Sequence, residues 1–504
     1  MKGETLVRVA ADKALRTEDI FPSASGETCH PATRPAPDGK GISTMSDGPK
    51  VFFTHLREMT ERFDPRYHSP VFANNLLGIR RKPFRRIGDC CELSDETWDK
   101  ASLFHDQFPY IEIGAINTEL GETTEPEILP TSEAPSRAQM VVRRGDILVS
   151  MTRPTRNAIA RVSDSIDVAI ASTGFAVVRK VDDEVVLRDY FFHVLRFDLC
   201  TIQFDQRCSG GNYPAITKDD FRKTIIAVPS LDVQKQIVEG LDAAYAAKRK
   251  ADENATRLLS SIDDIVLSEL GIPPLPPQDD SLAARMFFVP ARQLAEKTLA
   301  PSHYFECLDF SASRFPCRRF SDVVAIDPAE TNSGASGRCS FVPMDAVSAE
   351  YGRIEHFETV EADRTNGYSC FRNGDVIWAK ITPCMENGKS AVVESSDTGL
   401  LFGSTEFMVF RPRSTDIDPR YLHCLLRLRR LRQVAARHFT GSSGHQRVTG
   451  AFFAGLEIPV PPLPAQHAIA AKAMAAIKEA KQRRTDASLA LETARKNIEA
   501  ELIG

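Results

Sequence analysis

Short blocks recur along this chain at a nearly constant separation, and that spacing constrains the fold more than any other feature. Arg143-Arg144-Gly145-Asp146-Ile147-Leu148 returns as Arg372-Asn373-Gly374-Asp375-Val376-Ile377, 229 residues later. Ser172-Thr173-Gly174-Phe175-Ala176-Val177 returns as Ser404-Thr405-Glu406-Phe407-Met408-Val409, at 232. Val228-Pro229-Ser230-Leu231-Asp232-Val233-Gln234 sits over Val460-Pro461-Pro462-Leu463-Pro464-Ala465-Gln466, again at 232, and Arg85-Arg86 faces Arg318-Arg319 at 233. A tandem duplication of one unit of roughly 230 residues accounts for all four offsets. A chain of 504 residues is long enough to give each copy its own core.

Within each unit the order of signals is the same. Short β-type runs such as Asp146 to Ser150 and Ala176 to Arg179 come first, introduced by Gly-Asp turns. A proline stop at Val228-Pro229, or at Ile458-Pro459-Val460-Pro461-Pro462-Leu463-Pro464, then precedes a long stretch without proline or glycine clusters, which predicts a helix with proline tolerated at its start. In the first copy Ile237, Leu241, Ala244, Lys248, Ala251, Ala255, Leu258, Ile262 and Ile265 step alternately by four and three, an a/d heptad seam. Adding 232 gives Ile469, Ala473, Ala476, Ala480, Arg483, Ala487, Ala490, Ala494 and Asn497, a seam written mainly in alanine, so two such helices are expected to pair as a coiled coil within the chain. From Asp232 to Leu270 the first would be about 58 Å long at about 1.5 Å per residue. Gly271 and the prolines after it close the first copy. Residues 1–44 mix Gly, Pro, Ser and Thr without periodicity and read as a disordered extension, with Met45 an alternative natural start.

Composition limits the function classes. No apolar run approaches the roughly 18 residues of a membrane span and no short apolar block follows the N-terminus, so a cytoplasmic protein is expected. The eleven cysteines are scattered and never spaced C-x-x-C, which fits reduced thiols. The eleven histidines form no H-x-x-x-H or H-E-x-x-H arrangement, and no Gly-rich cofactor loop follows a strand. Gly388-Lys389-Ser390 resembles the end of a phosphate loop, but Pro383 stands where that loop requires glycine. A catalytic centre is therefore not expected. Net charge is −5, whereas residues 411–450 hold nine arginines against Asp416 and Asp418, a local +7. Basicity concentrated in one stretch is what a phosphate-binding surface needs.

Two variable globular parts, each closed by a Pro-Leu-x-x-Gln start of a long helix, resemble the specificity subunit of type I restriction-modification enzymes. The resemblance covers roughly residues 56 to 504 and rests on Pro461-Pro462-Leu463-Pro464-Ala465-Gln466, Ile381-Thr382-Pro383-Cys384-Met385-Glu386-Asn387-Gly388-Lys389 and Thr440-Gly441-Ser442-Ser443-Gly444-His445-Gln446-Arg447-Val448. Arg62-Phe63-Asp64-Pro65-Arg66-Tyr67 and Leu299-Ala300-Pro301-Ser302-His303-Tyr304 resemble the lead-in to each recognition domain. The first copy departs from the pattern, with Ser230-Leu231-Asp232-Val233-Gln234 at the helix start and Ser209-Gly210-Gly211-Asn212-Tyr213 for the Gly-Ser-Ser-Gly-His turn. The resemblance implies an α+β fold: target-recognition domain 1 at 50–230, spacer helix 1 at 231–271, a proline-rich linker at 272–281, target-recognition domain 2 at 282–462 and spacer helix 2 at 463–504. Both domains would be mixed α/β, and the helices an antiparallel coiled coil. It further implies that the chain reads a split sequence in double-stranded DNA and binds no cofactor itself. Chemistry would belong to adenine methyltransferase subunits carrying S-adenosylmethionine and to motor endonuclease subunits using ATP.

Contact candidates lie in the matched turns. Arg153, Arg156, Asn157, Lys380, Thr382 and Lys389 follow Gly-Asp strands; arginine and lysine suit guanine O6 and N7, asparagine suits adenine N6 and N7. Asn212 and Tyr213 in the first copy, and Ser443, His445, Gln446 and Arg447 in the second, flank flexible glycines that let backbone approach phosphate. Arg427, Arg430 and Arg437 are expected on the outer side of a helix whose Leu425, Leu428 and Leu431 face inward, suited to phosphates without sequence information. The competing reading of each is a solvated loop or face. The competing reading of the whole chain is a coiled-coil scaffold that grips protein.

Overall fold

The computed structural model describes residues 6–10, 51–55, 62, 64–99, 103–273, 310–329, 338–361, 367–395, 401–441 and 446–503, the first two stretches as backbone only. Two compact units emerge: Met1–Ala247 with Leu489–Gly504, and Lys248–Ser488. The division falls inside both long helices.

In the first unit a six-stranded sheet runs in the order Cys91–Ser94, Phe175–Val181, Ile147–Ser150, Ile159–Arg161, Glu122–Thr123, Ile116–Asn117. A four-stranded sheet runs Glu127–Pro130, Gln107–Ile111, Val168–Ser172, Ala138–Arg143. Every residue of Ile147–Ser150 is buried, because alternate side chains point to opposite faces and both faces are covered. Ile147 and Val149 join a core with the helices Arg188–Leu195 and Asp198–Arg207, while Leu148 joins Ala160, Val177 and the second sheet.

The second unit repeats this plan with two four-stranded sheets. In Val376–Ala379, Val376 and Trp378 face the helical core and Ile377 the core between the sheets. The four recurring blocks acquire physical roles. Arg85-Arg86 and Arg318-Arg319 lie in three-residue strands paired antiparallel with Ile225–Ala227 and Glu457–Pro459. Gly145 and Gly374 turn at φ of +76° and +87°, a conformation other residues resist. The aspartate after each is buried and accepts from a backbone N–H three residues back, Arg143 or Arg372, at 2.9 Å. It also pairs with an arginine on the neighbouring strand, Asp146 with Arg179 at 2.9 Å and Asp375 with Arg411 at 2.6 Å.

Gln234 and Gln466, fully buried, fix the start of each long helix. Gln234 accepts from the Leu187 N–H at 2.9 Å and donates to the Val185 and Pro229 carbonyls. Gln466 accepts from the Asp418 N–H at 2.8 Å and donates to the carbonyls of Asp416 and Pro461. The first helix runs Leu231–Ser260 and resumes as Ile262–Leu270; at the joint the Ser260 and Ser261 hydroxyls donate back to the Thr256 and Leu258 carbonyls, competing with the helical ladder. Gly271, at φ +74°, closes it with the paired N–H bonds of a Schellman end, Gly271 to Ser268 and Ile272 to Leu267. The second helix is continuous over Leu463–Ile503. Within the second unit the two helical segments run antiparallel, since Lys472 pairs with Glu269 at 2.5 Å while Arg484 donates to Thr256 at 2.9 Å.

Two expectations need correction. The alanine seam holds through Ile469, Ala473, Ala476 and Ala480, but Arg483, Ala490 and Asn497 are exposed; burial passes instead through Arg484, Leu491, Ile498 and Leu502. The larger apolar residues fix the face, so the seam takes two steps of four in succession. Residues 6–10 are not structureless either: Leu6–Ala10 pairs antiparallel with Val51–His55. The other residues of 1–44, most of the 272–281 linker and the second lead-in, Leu299 to Tyr304, lie outside the described residues. No helix among the described residues is long and apolar enough to cross a membrane.

Candidate nucleic-acid interface

In the first unit the chain leaves Ile147–Ser150 into a tight turn that meets the Ser209 to Tyr213 loop. Ala215 bridges to both Thr152 and Ser209, the Ile216 N–H donates to Met151 O at 2.9 Å, and the Arg153 N–H donates to Pro214 O at 2.7 Å. Two turns far apart in sequence are thus joined. Arg153 and Asn157 flank a one-turn 3-10 helix, Pro154–Arg156, and both have left-handed backbone, φ +48° and +55°. For a non-glycine residue that conformation costs roughly 1–2 kcal/mol, and here the turn is held by its hydrogen bonds. The Arg153 guanidinium lies 4.6 Å from the centroid of the Tyr213 ring and donates to Asn212 O at 3.2 Å. Tyr213 is 70% exposed, and Asn212 and Arg156 are exposed as well. An aromatic ring and a guanidinium in this position can stack on bases and bond their edges. Asn157 is not part of that surface: its amide donates to Arg196 O at 2.8 Å and its Oδ1 is buried.

The second unit builds the same joint in register. Ile381 and Thr440 both bridge to Arg447, the Thr382 N–H donates to Gln446 O at 3.1 Å, and the Val448 N–H donates to Lys380 O at 2.9 Å. Its chemistry differs. Glu406 occupies the position of Gly174 and holds the Arg447 guanidinium with two hydrogen bonds, 2.8 and 2.7 Å, which raises the arginine pKa further. Lys389 turns inward, donating to Met344 O at 2.8 Å, and so ties the turn down. Lys380, Thr382 and Gln446 remain at the strand-end joint; Ser443 and His445 lie outside the described residues.

The basic helix is the main correction. It is two helices, Pro419–Arg427 and Arg429–Ala436, broken at buried Leu428. Leu425 and Leu431 face inward as expected, but the arginines do not form an outer basic side. Arg427 donates to the carbonyls of Ala349 and Glu350 at 3.1 and 2.9 Å. Arg430 reaches Pro273 O at 3.3 Å, and Arg432 bonds Arg427 O and Glu386 O. Arg437 is half-buried and also engaged. Arg427 has a counterpart 231 residues earlier in Arg196, which donates to Thr118, Glu119 and Leu120 carbonyls at 2.9, 2.8 and 3.1 Å. Each guanidinium fills the space over a left-handed glycine, Gly121 or Gly352, where a Cβ would overlap it. Burial brings both arginines down to about 10, still protonated at neutral pH. Sequence reasoning missed this pair although its signal was present: the arginines and the glycines share one offset.

Among the described residues no group of His, Cys, Asp or Glu is placed to hold a metal ion. The chain matches the family described as Type I restriction modification DNA specificity domain over residues 82–255 and 349–485. It is similar to the EcoAI specificity subunit of Escherichia coli, 36% identical over 148 residues, which is 29% of this chain and 25% of that protein. The EcoEI specificity subunit of the same organism is 32% identical over 143 residues, 28% of this chain and 24% of that one. These matches span about a quarter of each relative's length. Among solved structures, the HsdS subunit from Thermoanaerobacter tengcongensis is 21% identical, covering 84% of this chain and 95% of that chain with a TM-score of 0.34.

Proposed function

The chain belongs to the type I restriction modification DNA specificity family, and from that premise we propose that it reads a bipartite duplex sequence, one half per recognition domain. The observation that carries this is the duplicated strand-end joint, presented with the same backbone bonds but different side chains: a guanidinium on an aromatic ring in one copy, a carboxylate-clamped arginine beside Lys380 in the other. Shared geometry with divergent chemistry is what two readers of unlike half-sequences need. The basic stretch does not support the reading, because Arg427, Arg430 and Arg432 serve backbone carbonyls.

In this reading the chain is non-catalytic. The two long helices form an antiparallel coiled coil that sets the gap between half-sequences. An adenine methyltransferase with S-adenosylmethionine, and a motor endonuclease with ATP, supply the reactions. The test is genome-wide mapping of methylation by the complex of the full chain with its methyltransferase. Arg153→Ala with Tyr213→Ala is expected to relax base choice in one half only and leave the other half and the gap intact. Altered bases in both halves, or none, refutes the assignment. Binding to duplex DNA should also weaken as salt rises, with a log–log slope set by the phosphates neutralised. Salt-independent capture of protein in its place would favour the scaffold reading.

A further inference from the structure

A cavity of about 470 Å³ lies within the second unit, between the Pro419–Arg427 helix, the Tyr351 to Arg353 turn and the second long helix. Small-molecule sites fall in the range of about 300–1,000 Å³. The duplication supplies an internal comparison, because the frame is the one Arg196 and Gly121 build in the first unit. There the space is filled: Leu241, Tyr245, Phe192 and His193 are all buried, His193 stacks on Tyr245 with centroids 5.5 Å apart, and Arg196 lies over the rings of Phe192 and Tyr245. At the corresponding positions the second unit has Ala473, Ile477, His423 and Cys424. All four are smaller, while the guanidinium and the glycine beneath it are retained as Arg427 and Gly352. The opening coincides with smaller side chains at these four positions around the retained Arg–Gly pair.

The lining is apolar with a cationic rim. Ile262, Val392, Ile477 and the 44%-exposed Met474 form the apolar part. Lys478 and Lys481 come from the second long helix, where the first long helix has Ala246 and Arg249, and Asp242 of that helix is replaced by Met474. Arg420 is matched by Glu394 at 2.8 Å and Arg353 by Glu355 at 2.5 Å, so these two pairs add little net charge. No described carboxylate pairs with Lys478. Lys481 is 3.8 Å from Glu355 and faces the Tyr351 ring. His423 donates no charge: burial, then the Arg427 charge, push it down to about 3, and its Nε2 is 3.1 Å from the Ser390 hydroxyl.

We propose that this cavity is a binding site for a small acid with an apolar body and a single carboxylate, one molecule per chain and not one per repeat. The apolar body replaces the ring volume that the first unit carries as protein, and the carboxylate meets Lys478 and Lys481 at the mouth. This proposal does not depend on DNA recognition, and its test needs no DNA. Octanoate is titrated into the purified full chain by calorimetry. One saturable site is expected at about millimolar affinity or better. Ala473→Leu with Ile477→Tyr, which installs the first unit's residues, should abolish it without lowering the melting temperature. Ala473→Leu alone, a milder filling, should weaken it at least tenfold, so the test survives if the double variant folds poorly. Lys478→Gln with Lys481→Gln should weaken octanoate about tenfold and leave octanol unaffected. Absence of a saturable site at millimolar octanoate, a second site of equal strength, indifference to filling, or octanol binding as well as octanoate would each overturn the proposal. So would octanoate failing to bind while the filled variant loses its methyltransferase partner, which assigns the cavity to a protein segment.

Discussion

At the scale of single residues, the buried glutamines show why a short sequence signature can be physically demanding. Gln466, itself fully buried, satisfies one N–H and two carbonyls. A buried group left without its partner costs about 1–3 kcal/mol. Gln466→Leu is therefore expected to destabilise the second unit by about 2–4 kcal/mol, read from the urea midpoint; a loss under about 1 kcal/mol would show that the helix start relaxes to satisfy itself. A second prediction concerns Glu499, whose carboxylate accepts from the Asp198 N–H at 2.7 Å. Burial pushes its pKa up from 4.5 to about 7. The folded state then holds a proton that the unfolded chain releases, so this group's contribution is fully present below pH 4.5 and is lost as pH rises to about 7. Glu499→Gln cannot ionise. Relative to the natural chain it should gain stability between pH 5 and pH 8, and an equal difference at both pH values would remove Glu499 as the titrating group. Arg427 marks the limit of such reading from sequence. An arginine near leucines at helical spacing looks like an outer charge, and only the Ala349 and Glu350 carbonyls brought to it from another element reveal that it is an internal tie.

Among the elements, what sequence periodicity revealed and what it missed can be separated at the second long helix. Its first half follows the seam copied from the first helix, but beyond Ala480 the alanines carry too little apolar surface to say which face is inside. Leu491 is 4% exposed and Ala490 is exposed, the reverse of the copied seam. Leu491→Ala should cost about 2–4 kcal/mol, as for other buried leucines, whereas Ala490→Leu should be within about 0.5 kcal/mol of neutral. Equal effects would restore the copied seam. Other elements were fully legible because their signal is local chemistry: Gly271 closing a helix, Gly145 and Gly374 turning into buried strands, and proline before each long helix. The joint of the two turns was legible only in part. Arg153 and Tyr213 were both named as candidates, but their stacking depends on the bridge between Thr152 and Ala215, 63 residues apart. Glu406, which neutralises Arg447, stands where the repeat has glycine, and no spacing rule flagged it.

For the whole molecule, duplication is the organising fact, and it makes the proposed ruler testable without disturbing either reader. The helical segments of the second unit face each other antiparallel, Glu269 against Lys472 and Thr256 against Arg484. Inserting residues into one helix alone would slide this seam, and an insertion of four would also rotate it, since the repeat is seven. Inserting one heptad into each helix at facing positions keeps the a/d faces together and lengthens the pair by about 10 Å at about 1.5 Å per residue. Base pairs rise about 3.4 Å, so the tolerated gap should lengthen by about three base pairs while both half-sequences are kept. Stability should change little, because the added heptads bring their own seam. Methylation mapped across a genome by the variant in complex with its methyltransferase gives the answer directly. An unchanged gap would mean that the helices do not set the distance, and changed bases within either half would mean that the recognition domains are not independent of the helices that follow them.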